Sequence, residues 1–212
     1  MLYEAINQPV LSLIPGTVKR VLDLGCGSGA LGQEIKRTIN CEVTGVTFSD
    51  EEAAKAKDLL DAVIVCDLNQ FDPRELGLFD CVVCSHILEH LYSPTELLTR
   101  LRDNLTPDGV LIVALPNALF WKQRLEFLRG RFRYTEGGIM DQTHYRFFDY
   151  ATSVELVRNA QFEIITRDVD AYFPLPFLRQ RLKFVAGRLD RLASKLIPGL
   201  CGTQFIIVAR RA

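Results

Sequence analysis

Val21-Leu-Asp-Leu-Gly-Cys-Gly-Ser-Gly29 decides how this 212-residue chain is read. Residues 21–24 are apolar except for Asp23, which predicts a short buried strand. Gly25, Gly27 and Gly29 follow at once, and Ala30-Leu-Gly-Gln-Glu-Ile35 reads as the start of a helix. A strand, a glycine turn and a helix N-terminus frame a nucleotide-sized pocket. Glycines let the backbone turn sharply and approach a ligand closely, and the first helical N–H groups have no partner of their own.

Outward from this stretch, strand-like and helix-like segments alternate. Residues 43–46, 62–65, 79–84 and 110–114 read as strands; 50–58 and 94–104 read as helices. Ser49 or Asp50 is the expected cap of the first helix, and Ser93 before Pro94 that of the second. Pro107-Asp108-Gly109 is read as a turn. Such alternation implies right-handed crossovers and a parallel, doubly wound α/β sheet, with ligands beyond the C-terminal ends of its strands. Upstream, residues 1–17 read as a helix or lid ending at Pro15-Gly16. Downstream of Pro116 the rhythm breaks. A helix is expected at 152–159, with strands at 162–169 and 204–209.

The composition, 48% hydrophobic and 24% charged, fits one ordered globular domain over 1–212. A net charge of −1 gives no overall pull towards nucleic acid. Of the six cysteines, Cys81 and Cys84 stand three apart in a strand and so face opposite sides. They are not expected to share a zinc ion or form a redox pair. The chain shows neither a signal peptide nor a twenty-residue apolar span, so a reduced, cytoplasmic protein is expected.

The glycine pattern Gly25-x-Gly27-x-x-Ala30 also fits a dinucleotide fingerprint. Against NAD stand the absence of a recognisable hydride-transfer site and the placing of Asp23. Two residues before the first glycine, its carboxylate can reach the cationic amino group of an amino-acid-bearing cofactor. The whole stretch resembles the first motif of the class I S-adenosyl-L-methionine (SAM) methyltransferases. That resemblance implies a Rossmann-like, seven-stranded sheet with the last strand antiparallel. It also implies SAM as cofactor, S-adenosyl-L-homocysteine as product, and contacts to them from Asp23, Gly25, Cys26 and Gly27.

In this family the second strand usually ends in an acid for the ribose hydroxyls. Here Gly45-Val-Thr-Phe-Ser-Asp50 offers Thr47 instead, with Phe48 beside it. Ser49, Asp50 or Glu51 would have to complete the site. In Val65-Cys-Asp-Leu-Asn69, the resemblance assigns Asp67 to the adenine amino group and Leu68 to packing on the ring; a solvated turn former is the plainer role for such an Asp.

Ser85-His-Ile-Leu-Glu-His-Leu91 and Leu115-Pro-Asn117 are similar to segments of a large bacterial group of small-molecule methyltransferases. Ser85 and His86 would line the cofactor side. His90 could take a proton at neutral pH, or Glu89 and His90 could brace the loop. Tyr134-Thr-Glu-Gly-Gly-Ile-Met-Asp-Gln-Thr-His-Tyr-Arg-Phe-Phe148 resembles an Asp-x-x-His-x-Arg-Phe-Phe motif of methyltransferases of sugar, lipid-linked glycan or secondary-metabolite pathways. Asp141 would orient His144 as general base; alternatively His144 and Arg146 tie the loop to the sheet. No carboxylate/histidine cluster shows metal-ligand spacing along the sequence, so base-dependent or proximity catalysis is expected without a metal.

Two helical cap insertions are expected, at about 118–148 and 171–202. Residues 177–197 read as an amphipathic helix, with Leu178, Leu182, Val185, Leu189, Leu192 and Leu196 on one stripe and six basic residues against Asp190. It would pack as a cap or a homodimer seam, or lie peripherally on an anionic inner membrane face and receive a lipid-linked acceptor. The expected activity is O-methylation of a small molecule. A non-catalytic SAM-fold binding or regulatory module is the alternative that Thr47 keeps open.

Overall fold

The computed structural model describes residues 6–172 and 183–212, with backbone alone at 183–186. Seven strands, β1 (Arg20–Leu24), β2 (Glu42–Thr47), β3 (Ala62–Val65), β4 (Phe79–Ser85), β5 (Leu105–Pro116), β6 (Phe162–Ala171) and β7 (Gly202–Arg211), form one sheet in the order β3-β2-β1-β4-β5-β7-β6. The first five strands are parallel; β7 runs antiparallel between β5 and β6. The strand order reverses between β1 and β4, and the glycine turn lies at that switch point, where such sheets bind ligands. This is the doubly wound sheet expected from the alternation.

The helices are α1 (Gln8–Leu11), α2 (Ala30–Thr38), α3 (Asp50–Ala56), α4 (Pro94–Leu101), α5 (Trp121–Leu128), α6 (Tyr150–Asn159), α7 (Lys183–Leu196) and α8 (Pro198–Cys201). Central strands are apolar on both faces, as buried parallel strands must be. Leu22, Leu24, Val82, Cys84, Leu111 and Val113 pack into one core with α4 and α6; Val21, Cys81, Val83, Ile112 and Ala114 pack into a second with α1 and α2. Cys81 and Cys84 thus sit in different cores, and neither is disulfide-bonded.

Several boundaries differ from the sequence reading, each for a tertiary reason. Pro107-Asp108-Gly109 does not separate a helix from a strand. It lies inside β5, whose register against β4 jumps from Phe79↔Leu105 to Cys81↔Val110, so the segment 106–109 bulges opposite Asp80. The helix expected to reach residue 104 stops at Leu101 and continues as a 3-10 turn, Arg102–Asn104. There the buried Asn104 Nδ2 donates to the Pro73 and Gly77 carbonyls, at 2.7 and 2.9 Å. Ser93 occupies the cap position of α4 but makes no side-chain cap bond, whereas Ser49 caps α3 through the Glu52 amide. The helix after Phe148 starts earlier than expected, because Asp149 and Thr152 form a reciprocal capping box.

Of the expected helix 177–197, residues 177–182 lie outside the described residues. In α7, Ala193 is buried while Leu192 and Leu196 are exposed. Among the described residues, no helix is long and apolar enough to cross a membrane.

Candidate active site

The glycine turn is built against β2. The Gly25 and Cys26 amides both donate to the Val46 carbonyl, at 2.8 and 3.0 Å. Gly25 has φ +75°, and a Cβ there would stand 2.7 Å from Ile87, so only glycine allows the loop after β4 to press on the turn. Gly45 plays the matching part in β2, where a Cβ would meet Cys26 Sγ at 2.6 Å. Burial, reinforced by the charges of Asp23 and Glu52, pushes the Cys26 thiol up to about 12. It is a packing group rather than a nucleophile.

Asp23 is buried at the end of β1, and its Oδ2 has no hydrogen-bond partner. Burial alone raises its carboxyl to about 7. An orphaned buried oxygen beside a glycine turn fits a cationic ligand group, since a charged donor is what such an oxygen lacks.

At the end of β2 the structure sets a carboxylate beside Thr47. Thr47 is buried, and its hydroxyl donates to Glu52 Oε2 at 2.6 Å. Glu52 comes from the first turn of α3, so a carboxylate does stand where β2 ends. Ser49 is spent on capping α3, and Asp50 and Glu51 precede Glu52 in the same first turn. Sequence reasoning missed Glu52; the signal was its place in the helix turn directly after the strand.

Phe48 is 77% exposed beside Thr47. Leu68 is buried in the core with Val46 and Phe71, so it does not offer a face to an adenine ring; the exposed aromatic at this rim is Phe48. Asp67 lies next to them, because Cys66 N bonds the Thr47 carbonyl. Its Oδ1 accepts from Asn69 N and Nδ2, both at 2.9 Å.

Ser85 ends β4, and it and His86 just beyond it lie beneath the amino-terminal segment. Asn7 Nδ2 donates to Ser85 Oγ at 3.1 Å and to Gln204 Oε1 at 2.9 Å, and the same Gln204 oxygen accepts from His86 Nε2 at 2.8 Å. His86 has φ +53°, a strained conformation for a non-glycine residue at a cleft. Burial works against its charged form. The Glu89 carboxylate at 3.4 Å and the Gln204 contact outweigh that, and hold the imidazolium above its ordinary range. The Glu89 contact is an ion pair, since neither Glu89 oxygen meets hydrogen-bond geometry.

The loop carrying Asp141 and His144 folds onto this segment. Tyr145 N and Arg146 N both donate to the Glu89 carbonyl, at 2.9 and 3.0 Å, and an Arg146 guanidinium nitrogen reaches the Tyr92 carbonyl at 2.7 Å. His144 Nδ1 donates to the Ile139 carbonyl at 3.1 Å. The expected Asp141 orientation of that ring is therefore supplied by a backbone carbonyl. Asp141 Oδ1 instead accepts from Thr143 N and Oγ1, at 2.8 and 2.7 Å, and Thr143 in turn contacts His90 Nδ1. His144 Nε2 faces Glu89 Oε1 at 4.0 Å. Burial holds His144 below its ordinary value against the opposing charge of Glu89, so Nε2 is unprotonated near neutrality. Glu89, His90 and His144 thus come within 4.8 Å of one another, a grouping that their sequence spacing conceals. A separate groove, lined by Ser93, Glu96, Thr152 and Glu155, lies between α4 and α6 and includes none of these three.

A model of the methyltransferase-domain family matches residues 3–167. A relative from Schizosaccharomyces pombe, the mitochondrial ubiquinone biosynthesis O-methyltransferase, is 33% identical over 103 residues, 45% of this chain and 37% of that protein. The chain therefore spans well under half the length of this relative. Among solved structures, a SAM-dependent methyltransferase from Archaeoglobus fulgidus superposes with a TM-score of 0.65 at 19% identity, covering 92% of this chain and 87% of the other. The Burkholderia thailandensis 1,6-didemethyltoxoflavin-N1-methyltransferase, solved with bound 1,6-didemethyltoxoflavin and S-adenosylhomocysteine, gives 0.61 at 19% identity, covering 99% and 80%. With the glycine turn at the switch point and an antiparallel seventh strand, the chain belongs to the methyltransferase-domain family and has the fold of the class I SAM-dependent enzymes.

Proposed function

We propose that this chain moves a methyl group from SAM to an oxygen of a small-molecule acceptor, received beside Glu89, His90 and His144. The contact that carries this reading is Ile87 lying against Gly25, which sets the Glu89 loop directly beyond the cofactor turn. Asp23 would meet the cofactor's amino group, Thr47 with Glu52 its ribose hydroxyls, and Phe48 and Asp67 its adenine. The rest of the chain, with 118–148 and 171–202 as caps, would complete one catalytic domain.

When bound, SAM supplies an electrophilic methyl carbon on a positively charged sulfur. The acceptor oxygen forms the new O–C bond as the S–C bond breaks, and that bonding pair stays on sulfur as the neutral thioether of S-adenosyl-L-homocysteine. His144 Nε2 is the lone pair placed to take the acceptor's hydroxyl proton, because its Nδ1 proton is committed to Ile139. The loop residues hold the oxygen in line, which by itself lowers the barrier.

An aromatic ridge supports an acceptor with a ring or apolar arm. Phe127 stacks on Phe132 at 5.6 Å, Phe132 meets Phe147 edge-on at 6.4 Å, and Phe147 meets His144 at 6.1 Å. The exposed Leu192 and Leu196 of α7, beside basic Arg188, Arg191 and Lys195, favour a lipid-linked acceptor held at an anionic surface. Salt-sensitive sedimentation with anionic liposomes tests that part, and a mass measurement tests a homodimer seam.

The reading as a whole is tested by calorimetry with S-adenosyl-L-homocysteine, followed by turnover across a panel of glycan, phenolic and lipid-linked hydroxyl acceptors. Tight binding with turnover on an oxygen acceptor is expected. Binding without turnover on any member of the panel favours a non-catalytic module, and no binding ends the proposal.

A further inference from the structure

We infer that Glu89, His90 and His144 form a binding site for a divalent transition-metal cation at the acceptor end of the crevice. A ring nitrogen of each histidine and a Glu89 oxygen all lie within 4.8 Å of one another. What makes the grouping a site is that no proton is shared between its members. His144 Nδ1 gives its hydrogen to the Ile139 carbonyl. His90 Nδ1 lies 3.2 Å from the Thr143 carbonyl and 3.0 Å from Thr143 Oγ1. The Thr143 hydroxyl gives its single proton to Asp141 at 2.7 Å, so towards His90 it can only accept. Each imidazole therefore carries hydrogen on Nδ1, which in the neutral ring leaves the lone pair on Nε2.

The third member is a carboxylate 1% exposed, with no hydrogen-bond partner at either oxygen. Two backbone amides hold its carbonyl, so the residue stays in place at the foot of the loop. A nitrogen from each ring and a carboxylate oxygen lie together, and each ring is anchored by an Nδ1–H···O=C contact. That is how ligating histidines are normally fixed, and burying a carboxylate without a donor is costly unless a cation completes it.

Two imidazole nitrogens and one carboxylate suit Zn²⁺, Mn²⁺, Fe²⁺ or Co²⁺ better than the oxygen-seeking Ca²⁺. Ligands about 2.1 Å from such an ion stand about 3–3.4 Å apart, so the three donors, 4.0 Å apart for Glu89 Oε1 and His144 Nε2 and within 4.8 Å overall, must draw together to grip it. Three protein ligands leave a position open for the acceptor's oxygen. This role for the ion rests on the proposed methyl-transfer reading. With the ion present, His144 acts as a ligand rather than as the base. The acceptor hydroxyl would then ionise on the cation, its proton passing to solvent, before the O–C bond forms and the S–C bond breaks. The rival arrangement is that the His86 imidazolium, 3.4 Å from Oε1, is all that Glu89 needs.

The test uses the full chain, dialysed against a chelator and titrated with CoCl₂ by visible absorption, with S-adenosyl-L-homocysteine binding measured on the same samples. Saturable uptake of a single Co²⁺ with ligand-field bands is expected. Glu89→Gln and His144→Ala should each weaken it by about tenfold or more, with homocysteine-product affinity kept within about twofold as evidence of an intact fold. Wild-type protein that binds the product but takes up no Co²⁺ overturns the cation site, and leaves the methyl-transfer reading standing. Uptake unchanged in both variants puts the ion elsewhere and overturns it too. Uptake of Co²⁺ without product binding supports the site while removing the methyl-transfer reading.

Discussion

The Thr47 hydroxyl donates to the Glu52 carboxylate across 2.6 Å, which brings an acid from α3 back to the end of β2. Glu52→Ala should therefore weaken S-adenosyl-L-homocysteine binding by about ten- to a hundredfold, the worth of one charge-assisted hydrogen bond. Calorimetry reads it directly. Thr47→Asp in the same background should recover part of the loss, because it restores an acid at the strand end.

Asp23 predicts a pH dependence. Burial raises its carboxyl to about 7 in the folded chain, well above an unfolded Asp at about 3.9. The folded state thus holds the proton more tightly. The stability this contributes is complete below about pH 4 and is lost as pH rises through about 7. Cofactor binding has the opposite sense, since the cofactor's ammonium favours the carboxylate. Product affinity should rise from pH 6 to pH 8 with proton release, and Asp23→Asn should flatten that slope in calorimetric titrations.

Gly25→Ala combines a positive φ with a methyl group 2.7 Å from Ile87. Strain and overpacking together should cost on the order of 2–3 kcal/mol. A thermal melt should show it, and product binding should weaken at the same time, because the turn itself must shift.

His144→Ala should lower turnover by about a hundredfold or more, as loss of a general base or of a metal-held oxygen does, with product affinity unchanged. Steady-state rates beside calorimetry separate the two effects. A rate within twofold of wild type would take His144 out of the chemistry.

Phe132→Ala removes the middle of the ridge between Phe127 and Phe147. It should raise the acceptor KM several-fold and leave kcat nearly unchanged. A fall in kcat with constant KM would mean that the ridge acts through His144 instead.

The sheet was legible because its evidence is local. Val21, Leu22 and Leu24 alternate between two cores as a buried strand must, and Gly25 declares a turn that no other residue can make. The site was legible only in its parts. Glu52 was overlooked because a helix surface acid looks solvated until the strand end beside it is in place. Leu68 looked like a ligand-facing residue because burial in a neighbouring core leaves no mark on its own sequence. Asp141 was paired with His144 by proximity in the chain, whereas Thr143 takes its carboxylate and Ile139 anchors the imidazole. Likewise, Pro107 and Gly109 signalled a turn, yet the sheet absorbed them as a bulge.

Asn7 joins Ser85 to Gln204, and so stitches the amino-terminal segment across the crevice end of two strands. Because β7 runs backwards through the sheet, its Gln204 end shares that edge and its Arg210 end pairs with Val110 at the far one. An affinity tag or fluorescent fusion joined after Ala212 would therefore emerge on the side away from the reactants. The same cargo joined directly to Asn7 would crowd the hydrogen bonds that Asn7 makes to Ser85 and Gln204, and measured rates would then report the label as much as the protein.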